Sequence, residues 1–303
     1  MALVETSRAS KAEPFVIQLG PGVFHLTSKL VLRNFVSLVG AGPESTRLIL
    51  DNSEIRMGGD VSIRNLAIEG MRSSSESYVT GTGERLAMSR VRFFTSTPNG
   101  AGWVVSFESR TGTIDTSEFT INGGGSTVIS SSGEELSVRD SSFVISDSSG
   151  YSVVSADGAV SVRDTSIEVA GEGIGVSGWG RTEVVGSTIR ISGHGIGVEI
   201  GSNGSVDRAS IRGSTIEVVG EGSRFGWPDA IAVRAAYAPI PFSLPIESSR
   251  LSAPIAAVVA PGSSLRFGGS KVDGEVQGAD VRCAASYDGE FRPLNDDCTV
   301  TPP

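Results

Sequence analysis

Val162-Arg-Asp-Thr-Ser-Ile-Glu-Val169 is the stretch on which the fold reading turns, because the chain repeats it. Its copies are Val138-Arg-Asp-Ser-Ser-Phe-Val-Ile145, Val184-Val-Gly-Ser-Thr-Ile-Arg-Ile191 and Ile211-Arg-Gly-Ser-Thr-Ile-Glu-Val218. Looser versions run at Ile63-Arg-Asn-Leu-Ala-Ile68, from Ser89 to Phe93, and at Ile114-Asp-Thr-Ser-Glu-Phe119. Taking the apolar residue after the Ser/Thr step as a marker gives Leu48, Ile68, Phe93, Phe119, Phe143, Ile167, Ile189, Ile216, Leu251 and Val272. Neighbouring markers lie 20 to 27 residues apart, with one wider step of 35 between Ile216 and Leu251. One unit reused at such a period is the mark of a solenoid.

Within the unit, β-branched residues alternate with polar ones, as in Ile189-Arg-Ile191 and Ile196-Gly-Val-Glu-Ile200. Period-two alternation predicts strands with one buried face. Gly, Ser, Asn and Asp punctuate them, residues that supply positive φ and side-chain-to-backbone turns. No helical period is visible between Phe15 and Val281. Two or three short strands per unit suit a coil that returns to the same place one strand spacing higher, about 4.8 Å away, paired in parallel with its neighbours. Parallel crossovers are right-handed in almost every case. The expectation is an all-β chain, a single right-handed parallel β-helix of about ten coils over residues 15–282. Residues 1–14 would form an N-terminal tail or cap and residues 283–303 a small C-terminal capping loop, because an uncovered terminal coil is an open strand edge.

Composition narrows the function. The 303 residues carry a net charge of −9, which opposes a sequence-independent grip on nucleic acid or on an anionic membrane surface. The longest apolar run, Ala253 to Ala260, is far short of the roughly 18 residues that a membrane span needs, so no membrane insertion is expected. Glycine is abundant at 39 residues but lacks a G-X-Y period, which excludes collagen. The first thirteen residues show no apolar signal core, so export would require a signal ahead of this start or another route. The two cysteines, Cys283 and Cys298, permit one bridge, worth about 3 kcal/mol for so short a loop. In a reducing compartment they would instead be free thiols.

The opening Ile17-Gln-Leu-Gly-Pro-Gly-Val-Phe24, then Leu30-Val-Leu32, Val36-Ser-Leu-Val-Gly-Ala-Gly42 and Thr46-Arg-Leu-Ile49, resembles the first coils of the right-handed parallel β-helix, pectin-lyase-like superfamily. The tail from Cys283 to Cys298 resembles an end segment of bacterial β-helix proteins. The resemblance implies the fold and leaves the activity open, since one fold hosts many functions. Ser192-Gly-His-Gly195 is similar to a motif of polygalacturonase-type glycosidases, but the Asn-Thr-Asp, paired-Asp and Arg-Ile-Lys companions are missing from adjacent coils. The glycines also recur as turn residues at Gly171-Glu-Gly173 and Gly220-Glu-Gly222. Scattered aspartates offer no set of six to eight oxygens for calcium, and no metal or cofactor is expected.

Repeat alignment singles out Glu172, His194 and Glu221, each five residues after its marker and so stacked on three successive coils. The outer carboxylates would lie about 9.6 Å apart, two strand spacings, near the upper limit for an inverting pair, with an imidazole between them for acid–base work. Trp179 and Trp227, a few residues beyond Glu172 and Glu221, would offer sugar-stacking faces, with Arg181 and Arg224 as binding cations. Against this, Glu168, Arg190 and Glu217 form a second ladder of alternating sign that has a purely register-fixing role, and the first ladder can be read the same way. The Pro-rich excursion after Gly222 is a loop laid on the flank. The first expectation is a non-catalytic secreted or surface scaffold that binds polysaccharide or a cell-surface protein along its flank, with oligomers allowed. The alternative is a polysaccharide-active enzyme (glycosidase, lyase or epimerase) using the Glu-His-Glu ladder.

Overall fold

The computed structural model describes residues 9–71, 77–96, 101–123, 125–201, 209–220, 230–237 and 242–299. Strands run from Phe15–Gln18 to Asp280–Ala284, and no α-helix occurs among the described residues. The chain is a right-handed parallel β-helix. Each coil contributes a strand segment to each of three faces, and each face stacks in parallel register from end to end.

The marker residues all fall in one column of the first face. Leu48, Ile68, Phe93, Phe119, Phe143, Ile167, Ile189, Ile216, Leu251 and Val272 are successive register partners, and Phe24 adds a rung below them. The second face stacks Ile55, Val79, Val105, Ile129, Val154, Val176, Val198, Val233, Ala257 and Val276 in the same way. The third runs from Leu38 through Ile63, Met88, Ile114, Val138, Val162, Val184, Ile211, Ile246 and Phe267 to Cys283. These inward side chains build one continuous core. Inside it Phe93, Phe119 and Phe143 stack ring over ring, with centroids 5.9 and 4.9 Å apart. The favoured offset and contact of such rings adds to the area they bury.

The corner between the third and first faces explains the Ser/Thr step of the repeat. A residue in the left-handed region turns the chain there in coil after coil: Asn65, Arg90, Thr116, Asp140, Asp164, Gly186, Gly213, Ser248, Gly269 and Ala285. For the non-glycine members this conformation costs about 1–2 kcal/mol each. From Ser117 onward the next residue is a buried hydroxyl: Ser141, Thr165, Ser187, Ser214, Ser249, Ser270 and Ser286 follow. Each donates to the carbonyl two residues before it, as Thr165 does to Arg163 at 2.8 Å. Each also accepts the amide of its counterpart one coil earlier, as Thr165 does from Ser141 at 3.4 Å and Ser187 from Thr165 at 3.3 Å. The ladder is unbroken to Ser286, which accepts from Ser270. The amide that the tight corner takes out of the backbone ladder is thereby satisfied, and the carbonyl, which also accepts a backbone amide from the coil before, gains a second donor.

At the C-terminal end the tail folds back over the last coil. Cys283, which ends the third-face core column, is bonded to Cys298 with Cα atoms 5.1 Å apart, so the bridged alternative holds. Tyr287 pairs with Lys271, whose ammonium sits 3.9 Å from the Phe291 ring centroid. Asp288 accepts from the Glu290 and Arg292 amides and from the Arg292 guanidinium at 2.6 Å. Partial burial pushes this carboxyl up, but the hydrogen bonds and the guanidinium outweigh it and hold Asp288 below its ordinary value.

Two outcomes follow from these contacts. Thr165→Val keeps the shape but strips the acceptor from the Ser141 amide and one of two donors from the Arg163 carbonyl, so urea unfolding should show a loss of about 1–3 kcal/mol, which Thr165→Ser restores. The Asp288 contribution to the tail is complete above the ordinary carboxylate range and is lost as pH falls from there through its lowered value. Protease trimming of the tail should therefore rise only in acid for the natural chain, whereas Asp288→Asn should be trimmed at neutral pH as well.

Candidate active site

The turn from the first to the second face brings Glu172 and His194 to one corner. Gly173 is the register partner of Gly195, so Glu172 lies one coil beneath His194. Gly171, Gly193 and Gly220 stack backbone on backbone here: a Cβ on Gly193 would strike the Gly171 carbonyl, and one on Gly220 the Gly193 carbonyl. Glycine at these turns is thus a packing requirement, which accounts for the repeated Gly-x-Gly. His194 is half-buried, and its Nδ1 is buried without a hydrogen-bond partner among the described residues. No ion pair or hydrogen bond links it to Glu172. Glu221, the third rung, lies outside the described residues, as do Arg224 and Trp227.

The remaining expected residues lie elsewhere. Trp179 stands at the far end of the second-face strand, and its ring packs over Gly201 of the next coil, where a Cβ would clash with the indole. It does not flank the Glu172–His194 corner. Arg181 begins the next strand segment and lines a groove on the third face. The alternating ladder forms as expected: Glu168, Arg190 and Glu217 are register partners, and Arg190 Nε lies 3.3 Å from the Glu217 carboxylate.

Sequence reading missed a column on the outward side of the second-face strands that follow this corner. Ser177, Glu199 and Arg234 are successive register partners. The side chains of Glu199 and Arg234 are only 10% and 17% exposed, yet their closest approach is 3.9 Å, and Ser177 Oγ reaches Glu199 at 3.4 Å. A buried carboxylate normally collects short hydrogen bonds, and a loosely paired one is costly to keep. Beside this column Ile174, Ile196 and Ile231 form a second, separate apolar cluster, while Val176, Val198 and Val233 belong to the main core. The signal was present in Ile174-Gly-Val-Ser, Ile196-Gly-Val-Glu and Ile231-Ala-Val-Arg. The long excursion before Ile231 hid the third copy. Lower on the same face Trp103, 52% exposed, lines a groove of about 420 Å³ with Arg56, Thr80 and Glu108. An exposed indole beside polar groups is an apolar platform with hydrogen-bonding neighbours.

The corner holds an imidazole and a carboxylate, and the second face that follows it carries a carboxylate, a guanidinium and, lower in the stack, an exposed indole. Among the described residues no cluster of three or more His, Cys, Asp or Glu has the arrangement to hold a metal. No described helix is long and apolar enough to cross a membrane.

No family model matches the chain, and no curated protein matches it. Among solved structures it is similar to the catalytic unit of the thermostable GH87 α-1,3-glucanase of Streptomyces thermodiastaticus strain HF3-3, with a TM-score of 0.58 and 16% identity. That match covers 92% of this chain and 59% of the glucanase unit. It is also matched, at a TM-score of 0.40 and 13% identity, to the A-module of the mannuronan C-5 epimerase AlgE6 of Azotobacter vinelandii, covering 95% and 93% of the two chains. At these identities the likeness shows the fold. The expectation of a non-catalytic scaffold is corrected at this point: the fold shared with the glucanase unit is one that carries catalysis in that protein.

The packing of Trp179 gives a direct check. Trp179→Ala should lower the melting temperature, because it uncovers Gly201, and should leave glycan retention unchanged; Trp103→Ala should do the reverse. Differential scanning fluorimetry beside affinity electrophoresis in glycan-containing gels separates the two.

Proposed function

We propose that the chain is a polysaccharide-active enzyme whose cleft is the outer second face, with Glu172 and His194 as its acid–base pair. The observation that carries this is the His194 Nδ1 atom, buried and without a partner among the described residues, one coil above a carboxylate. A histidine kept for structure has its nitrogens fixed by hydrogen bonds, which lock the tautomer. Here the fold leaves that nitrogen uncommitted, and leaving it so costs about 1–3 kcal/mol.

In this reading a glycan lies along the stack, with a sugar face on Trp103 and hydroxyls on Ser177, Glu199 and Arg234. His194 gives its proton to the departing glycosidic oxygen. Glu172 takes one from the attacking water, whose oxygen bonds to the anomeric carbon as the linkage breaks. Proton transfer by positioned groups supplies about 10²- to 10⁴-fold in rate. Glu199 and Arg234 bind and orient, so their loss falls on KM before kcat. An extracellular site of action is supported by the Cys283–Cys298 bridge, since such bridges persist in oxidising surroundings.

The test is turnover on a panel that begins with α-1,3-glucan, the polymer named in the glucanase similarity, and includes polyuronates. His194→Gln and Glu172→Gln should each lower kcat by about 10²-fold or more with the melting temperature unchanged, and Glu199→Gln should chiefly raise KM. Full turnover by His194→Gln would end this reading.

A further inference from the structure

The third face carries a groove of about 670 Å³ that takes no part in the cleft. Arg181, Arg212 and Arg266 line it, together with Glu183, Glu247 and Pro245. Its two carboxylates do not neutralise its three guanidiniums. Glu183 is taken first by Arg163, from outside the groove, at 2.7 Å; Arg181 reaches it only at 3.9 Å. Arg212 and Glu247 pair at 3.3 Å. Arg266 is exposed and has no ion pair or hydrogen bond among the described residues. On a chain of net charge −9 this is a local reversal of sign.

The stack fixes the spacing of the uncommitted charges. Glu183 is the register partner of Ser210, and Pro245 of Arg266. Arg181 and Arg266 therefore stand three strand spacings apart, about 14 Å up the groove. No small anion bridges that span. An extended polymer with a negative group on each residue does, and the forked guanidinium matches the planar carboxylate best. A nucleic-acid backbone is opposed by the acidic remainder of the surface. The groove runs along the stack and so admits a chain lying lengthwise, with the Pro245 ring in its lining.

We infer that this third-face groove is an anchoring site for a carboxylated polysaccharide, held by Arg181 and Arg266 on a face other than the one that does the chemistry. The inference rests on the polysaccharide-active reading and names the substrate class as acidic. An anchor on a neighbouring face of one rigid stack raises the local concentration of polymer at the cleft.

The experiment reads binding alone, by isothermal titration of the full chain with an oligouronate and with a neutral glucan and a sulfated glucan of equal length. The natural chain should bind the oligouronate, weaken as salt is raised, and leave the neutral glucan unbound. Arg181→Gln and Arg266→Gln should each cost roughly tenfold in affinity, with melting temperatures unchanged. Equal binding of the neutral glucan, tighter binding of the sulfated one, or a double variant that binds like the natural chain would overturn the assignment. A chain that holds the oligouronate but cleaves nothing would overturn the enzyme reading and leave the anchor standing.

Discussion

At the corner between the third and first faces, one buried hydroxyl per coil accepts an amide from the coil before and donates to a carbonyl of its own. From Ser117 to Ser286 the coils depend on this ladder for their phase. The corner needs a left-handed residue and hence strained backbone at Asp140, Asp164 and their counterparts. It also leaves the following amide outside the backbone ladder, and a hydroxyl of the next coil accepts that amide only when successive coils are in phase. Slippage by one residue would turn the inward column to the outside and expose it. Register is thus set by a buried polar array, with the aliphatic and phenylalanine columns supplying the bulk of the burial.

Because phase is fixed at that corner, it is fixed everywhere on the coil. Ion pairs between coils, such as Arg139–Asp115, Arg163–Glu183 and Arg212–Glu247, then fall into place on the surface. Exposed pairs of this kind add little each, and they do not hold the coils together. They decide instead where unneutralised charge remains. The Arg163–Glu183 contact leaves Arg181 half-committed, and this is what gives the third-face groove its sign.

The columns were legible in sequence because an apolar marker follows a Ser/Thr step at nearly constant spacing, and every marker from Leu48 to Val272 lands in one column. The Glu168–Arg190–Glu217 ladder was legible by the same arithmetic. The hydroxyls were visible as a pattern, but their buried double bonding was not, since alternation says which side a residue faces and not what it finds there. The second face was harder. Trp179 reads as a sugar platform from its spacing, yet Gly201 leaves a gap that the indole fills, and small-for-large complementarity between coils leaves no periodic trace. Glu199 and Arg234 were hidden because turns of unequal length lie between the copies, so alignment by marker fails where alignment by strand succeeds.

The outer faces divide the work in a way that follows from the winding. Inward positions are committed to packing and the third-to-first corner to the ladder, so chemistry is left to outward positions and to the other corners, where strand ends tolerate irregular chain. His194 stands at such a corner, and Glu199 on a strand where Ile174, Ile196 and Ile231 put a second apolar cluster outside the main core. A buried acid beside that cluster is a poor choice for stability alone: a Glu–Arg pair at 3.9 Å recovers little of the cost of removing both charges from water. An apolar residue pair of similar volume would serve the fold as well or better. The second face thus keeps a loosely held carboxylate, and the corner before it an imidazole whose Nδ1 has no partner among the described residues, while the inward side of each strand is aliphatic. These two departures from a purely structural sequence are what the proposed chemistry rests on.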